Sequence, residues 1–204
     1  MNTRAPDFYL ASASPRRREL LAQLRYRFVP LQVDIDEVPR PGESGGELVL
    51  RLARQKAAAG ARLVATSGPR PVLGADTAVV VDGRILGKPD SLADALDMLG
   101  ALGGRTHLVL TGVALLHEGR VREALSETAV AFRPLSRAEI EAYWQTGEPR
   151  DKAGGYAIQG LAAAFVERIE GSYSGVVGLP LFETARLLQD SGITGWQAEA
   201  VRHE

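Results

Sequence analysis

The chain reads as an α/β protein in which a mixed, twisted sheet carries flanking helices. Strand-like apolar runs are interleaved with amphipathic helix patterns, which points to a sheet covered by helices. Two strand-to-strand connections are hairpin turns, so part of the sheet must be antiparallel and a purely parallel doubly wound sheet is disfavoured. The composition, 45% hydrophobic and 24% charged over 204 residues, is that of an ordinary globular domain. No linker, repeat or low-complexity tract divides it. Residues 1–204 are therefore expected to form a single domain, with two lobes around a central cleft as the alternative and a loose tail from 193 onward.

The elements follow in order. Phe8 to Ala11 is a short apolar run ending in a Ser/Ala/Pro turn, as a buried strand does. Ser14 can cap a helix whose first position is Pro15, where a missing N–H matters least, with Leu20, Leu21 and Leu24 facing inward. Phe28 to Val33 reads as a strand leading to Asp34, Asp36 and Glu37, and 40–46 (RPGESGG) as a loop. Glu47 to Ala61 is a helix with Leu48, Leu52 and Ala59 inward. Val72 to Val81 is the most apolar strand, turning at Asp82-Gly83 into Arg84 to Leu86. Ser91 caps a helix to Leu102, and the strands Thr106 to Leu116 and Val121 to Phe132 join around Glu118-Gly119. Ser136 and Glu139 form a capping box for a helix to Gln145. A glycine-punctuated region follows, with short strands at 156–158 and 164–169, and Pro180 opens a last helix ending near Gly192.

Several function classes are excluded. The net charge is −1, without the basic excess of a general nucleic-acid binder. Cysteine is absent, which removes disulfides, thiol nucleophiles and thiolate metal sites. No apolar run approaches a signal core or a membrane span, so no membrane partner is expected and the cytoplasm is the default location. Residues 83–88 (GRILGK) are one short of P-loop spacing and are followed by proline. In 171–175 (GSYSG), Tyr173 stands where a nucleophile elbow needs serine. The three histidines have no partner at metal spacing, and His107 and His117 read as surface or half-buried strand positions. No G-x-G-x-x-G follows a strand, which argues against a dinucleotide cofactor.

Four segments remain, each placing small residues beside charges. In 12–18 (SASPRRR) a strand end feeds a helix N-terminus, which suits phosphate through free N–H groups with Arg16 and Arg17 adding guanidinium forks, or is simply a capped helix with a solvated first turn. Those arginines oppose the helix dipole, so they need a reason beyond the helix. Asp34, Asp36 and Glu37 at a strand end can collect a hard divalent cation, or can be solvated loop charges. Asp76 lies between Leu73 and Val79, where a carboxylate must be paired, metal-bound or catalytic unless the strand is an exposed edge. Lys152, Gly154, Gly155 and Gln159 suit a loop that closes over a ligand, or a set of tight turns. Of 24 basic residues only Lys56, Lys88 and Lys152 are lysines, which suggests places where a compact ammonium is wanted, with chance placement of three residues as the alternative.

Together these stretches resemble the Maf family of nucleoside triphosphate pyrophosphatases. The matching segments are LASASPRRREL (10–20), RLARQKA (51–57), LGADTAVVVDG (73–83), GKP (87–89), GEPRDKAGGYAIQG (147–160) and GSYSGVVGLPL (171–181), in the family's order. The resemblance implies a mixed sheet of the inosine-triphosphatase type, a homodimer, and cleavage between the α and β phosphates with magnesium or manganese. It implies that Asp76 accepts the proton of the attacking water and that Arg16, Thr77 and Gln159 bear on base choice. Glu37, Lys56 and Lys88 match metal- or phosphate-handling positions, with Glu37 and Asp76 as the metal pair; Ser12, Ser14, Arg17 and Lys152 complete the substrate site. Arg16 after Ser-Pro, together with intact Ile158-Gln159-Gly160, matches the branch acting on dTTP and UTP rather than 7-methyl-GTP. Gly175 departs from the asparagine or alanine of many members. Two other readings are a nucleotide-binding regulator of cell division with little turnover, and a nucleotidyltransferase, for which no acceptor motif is present.

Overall fold

The computed structural model describes residues 5–195 apart from 67 and 69, so the expected loose tail falls mostly outside the described residues. Its strands are β1 (Phe8–Ala11), β2 (Phe28–Leu31), β3 (Val72–Val81), β4 (Arg84–Leu86), β5 (Thr106–His117), β6 (Arg120–Phe132) and β7 (Val166–Glu170). Its helices are α1 (Pro15–Gln23), α2 (Gly45–Leu63), α3 (Leu92–Leu102), α4 (Arg137–Gln145), α5 (Tyr173–Val177) and α6 (Leu181–Gln189). The strands form one sheet in the order β2-β1-β3-β5-β6-β7, with β4 also on β3. β1 runs parallel to β2 and β3, while the other pairings are antiparallel, so the sheet is mixed.

Local chemistry sets these boundaries. Both hairpins turn through consecutive left-handed residues, Asp82 (φ 50°) with Gly83 (φ 76°) and Glu118 (φ 50°) with Gly119 (φ 74°), as type I′ turns require. Ser14, Ser44, Ser91 and Ser136 cap α1 to α4, the last three in reciprocal boxes with Glu47, Asp94 and Glu139. Each such cap is worth about 1 kcal/mol. Ser44 starts α2 at Gly45, inside the stretch expected to be loop. The buried face of α2 runs through Leu48, Leu52, Lys56 and Gly60 with Val49, Ala53 and Ala57; Ala59 is only partly buried, correcting the expected stripe.

The main core lies on one face of the sheet, where Leu73, Ala75 and Val79 of β3 meet residues of α1, α3, α4 and α6. On the other face α2 covers β3 and β5, and two glycines set how close it comes. A Cβ on Gly74 would stand 2.2 Å from the carbonyl oxygen of Ala53, and one on Gly112 2.7 Å from that of Val49. Any side chain at either position would lift α2 off the sheet. The expected strand at 156–158 does not form; only 3₁₀ turns lie between α4 and β7. The helix expected from Pro180 ends at Gln189.

Candidate active site

β1 pairs with β3 only as far as Gly74, and β4 joins β3 only from Val79 onward. Since β5 occupies the opposite side of β3, the edge between Ala75 and Ala78 has no strand beside it. A cleft of about 430 Å³ opens at this gap, a size within the usual range for a small-molecule site. Alternation along the strand places Asp76 on the α2 face with Ala78 and Val80, and Thr77 on the core face with Ala75 and Val79. A ligand in the gap can therefore reach both.

Asp76 is 9% exposed and is paired as a buried carboxylate must be. The ammonium of Lys56, on the close-packed α2, lies 2.7 Å from Asp76 Oδ1 and 2.6 Å from Glu37 Oε1. Desolvation alone would raise the Glu37 carboxyl, but the bond to Lys56 and the charges of Lys56, Lys88 and Arg17 hold it below its ordinary value. Glu37 sits on an irregular segment that Arg51 ties down. The guanidinium of Arg51 grips Glu43 at 2.5 and 2.7 Å and donates to the Val38 carbonyl at 3.1 Å. Arg51 thereby holds the Glu43 carboxyl down at about 2. The signal for Arg51 was available: an arginine at an inward position of α2, one residue from Leu52.

Arg17 supplies the opposite wall. Its Nε donates to the Gly178 carbonyl at 2.7 Å, Nη1 to Ser12 Oγ at 3.2 Å and Nη2 to Thr77 Oγ1 at 3.2 Å. Each terminal nitrogen keeps a second N–H beyond these bonds. Burial pulls this guanidinium below its ordinary value, opposed by Asp76 and Glu37. Thr111 donates to the Gly175 carbonyl at 2.8 Å and lies 3.0 Å from Thr77 Oγ1. The Thr111 hydrogen is thus used, and Thr77 must donate to Thr111 while accepting from Arg17.

The residues that the family resemblance marks all reach the cleft: Ser12, Ser14, Arg16, Arg17, Glu37, Lys56, Asp76, Thr77, Lys88, Lys152 and Gln159 line it. Arg16 is 3.9 Å from Asp151, which opens the glycine-rich segment and also lines the cleft. Asp151 resists the rise that burial would cause because Lys152 and Arg16 hold it low. Asp34 and Asp36 do not line the cleft, and Asp36 instead accepts the Val38 N–H at 3.0 Å. The surface or half-buried place expected for His107 is also wrong. It is 2% exposed, bonded to the Tyr156 hydroxyl at 2.8 Å, and burial lowers it to about 4.

Among the described residues no group of three or more His, Cys, Asp or Glu side chains clusters at metal spacing. The Glu37 and Asp76 carboxylates do converge on a single cation, the Lys56 ammonium. Two carboxylates completed by substrate phosphate oxygens are a donor set that magnesium or manganese accepts. No helix among the described residues is long and apolar enough to cross a membrane.

Comparison with known proteins gives the family. The Maf-like protein family model matches residues 7–191. A dTTP/UTP pyrophosphatase of Saccharophagus degradans is 54% identical over 193 residues, covering 94% of this chain and 91% of the relative. One from Alkalilimnicola ehrlichii is 55% identical over 188 residues, 91% of this chain and 93% of the relative. One from Bordetella parapertussis is 55% identical over 194 residues, 92% and 94%. With the family model spanning β1 to the end of α6 and relatives more than half identical over nearly the whole length, this chain belongs to the Maf family.

Proposed function

We propose that this chain is a nucleoside triphosphate pyrophosphatase that hydrolyses dTTP and UTP to the monophosphate and pyrophosphate. The observation that carries the reading is the cleft itself: a buried carboxylate, Asp76, held by Lys56 beside a buried guanidinium with unused N–H groups. It is supported by relatives named dTTP/UTP pyrophosphatase. A triphosphate carries about four negative charges, and Arg17, Lys56, Lys88 and the start of α1 offset them where charge develops at phosphorus.

In the step itself, a water oxygen bonds to the α-phosphorus, its proton passes to the Asp76 carboxylate, and the bond from that phosphorus to the α–β bridging oxygen breaks. Pyrophosphate leaves. Lys56 balances the carboxylate's charge and fixes its orientation. A divalent cation, magnesium or manganese, would be held by Glu37 and Asp76 and would neutralise phosphate charge when bound. Arg16, Thr77 and Gln159 are assigned to the base, and Ser12, Ser14 and Lys152 to the rest of the substrate. A homodimer in the cytoplasm, with no nucleic-acid partner, belongs to the same proposal.

The test is pyrophosphate release from a panel of standard and modified nucleoside triphosphates with magnesium or manganese. dTTP and UTP, or a modified pyrimidine nucleotide, should give equimolar monophosphate and pyrophosphate. Binding of nucleotide with no release from any of them would make the chain a nucleotide-binding regulator instead.

A further inference from the structure

Ile158 and Gln159 reach the cleft from a segment with no strand or α-helix of its own. Its backbone polar groups nevertheless need partners, and beside turn bonds such as Gly160 N–H to the Ala157 carbonyl at 2.9 Å, side chains outside the cleft provide three of them. Before Ile158, the Ala157 N–H donates to the Tyr143 hydroxyl oxygen at 3.1 Å. After Gln159, the Leu161 N–H donates to Glu148 Oε2 at 3.1 Å and the Ala162 N–H to Glu148 Oε1 at 3.4 Å. Tyr143 in turn donates its hydroxyl hydrogen to Glu148 Oε1 at 2.7 Å, joining the two ends of the bracket. Gly160 completes it, because a Cβ there would stand 2.2 Å from Glu148 Oε2. Next to the bracket, the Tyr156 hydroxyl is bonded to His107 Nε2 at 2.8 Å.

Glu148 and Tyr143 do not line the cleft themselves. The groups assigned to the phosphates and the attacking water, Arg17, Lys56 and Asp76, are held instead by α1, α2 and β3 and do not touch this bracket. We propose that Glu148, acting with Tyr143, is a positioning residue for base selection: it holds Gln159 ready before the nucleotide arrives. This rests on the assignment of Gln159 to the base. An ordered segment spares the nucleotide the entropy of arranging it. Loss of the bracket should therefore weaken binding and base discrimination while leaving the phosphate chemistry in place.

The experiment uses Glu148→Ala, Glu148→Gln and Tyr143→Phe in the full chain. Amide hydrogen exchange is read at Ala157, Leu161 and Ala162. kcat and KM are read for dTTP, UTP and dGTP, with inhibition by inorganic pyrophosphate as the control. Glu148→Ala should speed exchange at Leu161 and Ala162 and raise KM for dTTP, each by about tenfold, as loss of a charged acceptor shared by both amides implies. kcat should stay within about threefold, the dTTP over dGTP preference should narrow by about tenfold, and pyrophosphate inhibition should hold within about twofold. Tyr143→Phe should speed exchange at Ala157, and Glu148→Gln, which keeps one acceptor oxygen, should return KM to within about threefold of the parent. Unchanged exchange, or an equal fall in kcat for every nucleotide at constant KM, overturns the proposal. Should Glu148→Ala not fold, the other two variants decide by the same readings. If the parent chain releases pyrophosphate from no nucleotide, the hydrolase reading fails on its own, and amide exchange still judges the bracket.

Discussion

The cleft and the aromatic wedge of His107, Phe132, Tyr143, Tyr156 and Phe165 both bury polar atoms, and they treat them in opposite ways. In the cleft the buried groups are charged: Arg17, Lys56 and Asp76 are each 8–9% exposed. They are paired with one another or with backbone, yet keep N–H groups or lone pairs that a ligand can use. In the wedge the buried groups are neutral, and rings meet edge to face, with centroids 4.8 Å apart for Phe132 with Tyr156 and 4.9 Å for His107 with Phe132. Burial lowers His107 and raises both phenols, so all three stay uncharged near neutral pH. The lesson is that buried charge has been retained where the proposed nucleotide would complete it, and removed where rings pack on one another. Tyr156 lines the cleft and also belongs to the wedge, so the neutral region backs the charged one.

The strongest break in this contrast is Asp76→Asn. Lys56 keeps Glu37 at 2.6 Å, so folding should survive. kcat should fall by roughly 10²–10⁴, the scale of a lost general base. Pyrophosphate release under saturating dTTP measures it, and turnover equal to the parent would remove Asp76 from the mechanism.

A smaller effect belongs to the wedge. His107 titrates at about 4 when folded against an ordinary value of 6.5. As pH falls, the unfolded chain takes up this proton first, so its contribution is full above pH 6.5 and is lost as pH falls through 4. The loss approaches about 3 kcal/mol. Glu43 and Glu139, held down at about 2 by Arg51 and Arg133, act in a lower window, between their ordinary 4.5 and 2. Denaturant midpoints against pH should show a decline between pH 6.5 and 4 that His107→Phe flattens. An identical slope in that variant would mean that His107 is not the group responsible. The mildest change is Arg16→Trp, at the half-open rim of the cleft. It should shift preference away from pyrimidines by about tenfold, the scale of one lost charged contact. An unaltered ranking across the nucleotide panel would detach Arg16 from base choice.

Much of the fold was legible because its signals are local. Ser14, Ser91 and Ser136 cap the helices expected of them, and Asp82-Gly83 and Glu118-Gly119 make both expected hairpins. Ser44 with Glu47 carried the same capping signal, hidden by the proline and glycines around it. The failures are tertiary. Residues 156–158 have a strand's composition, but the Ala157 N–H is taken by the Tyr143 hydroxyl and no neighbouring strand pairs there. His107 has no sequence neighbour to mark it as buried; the Tyr156 partner lies 49 positions away. Asp36 resembles Glu37 in sequence, but its carboxylate accepts the Val38 N–H while Glu37 reaches Lys56 in the cleft.

By itself the sequence determined where helices begin, where hairpins turn, and that a carboxylate at position 76 in an apolar strand needed a partner. These follow from bonds within a few residues and from the alternation of one strand. Which partner it found was decided by the tertiary structure. Lys56 reaches Asp76 because Gly74 and Gly112 let α2 lie against the sheet, and the pair is open to a ligand because β1 ends and β4 begins on either side of Ala75–Ala78. Helix-to-sheet distance and strand order arise from contacts between distant segments, and no local pattern encodes them.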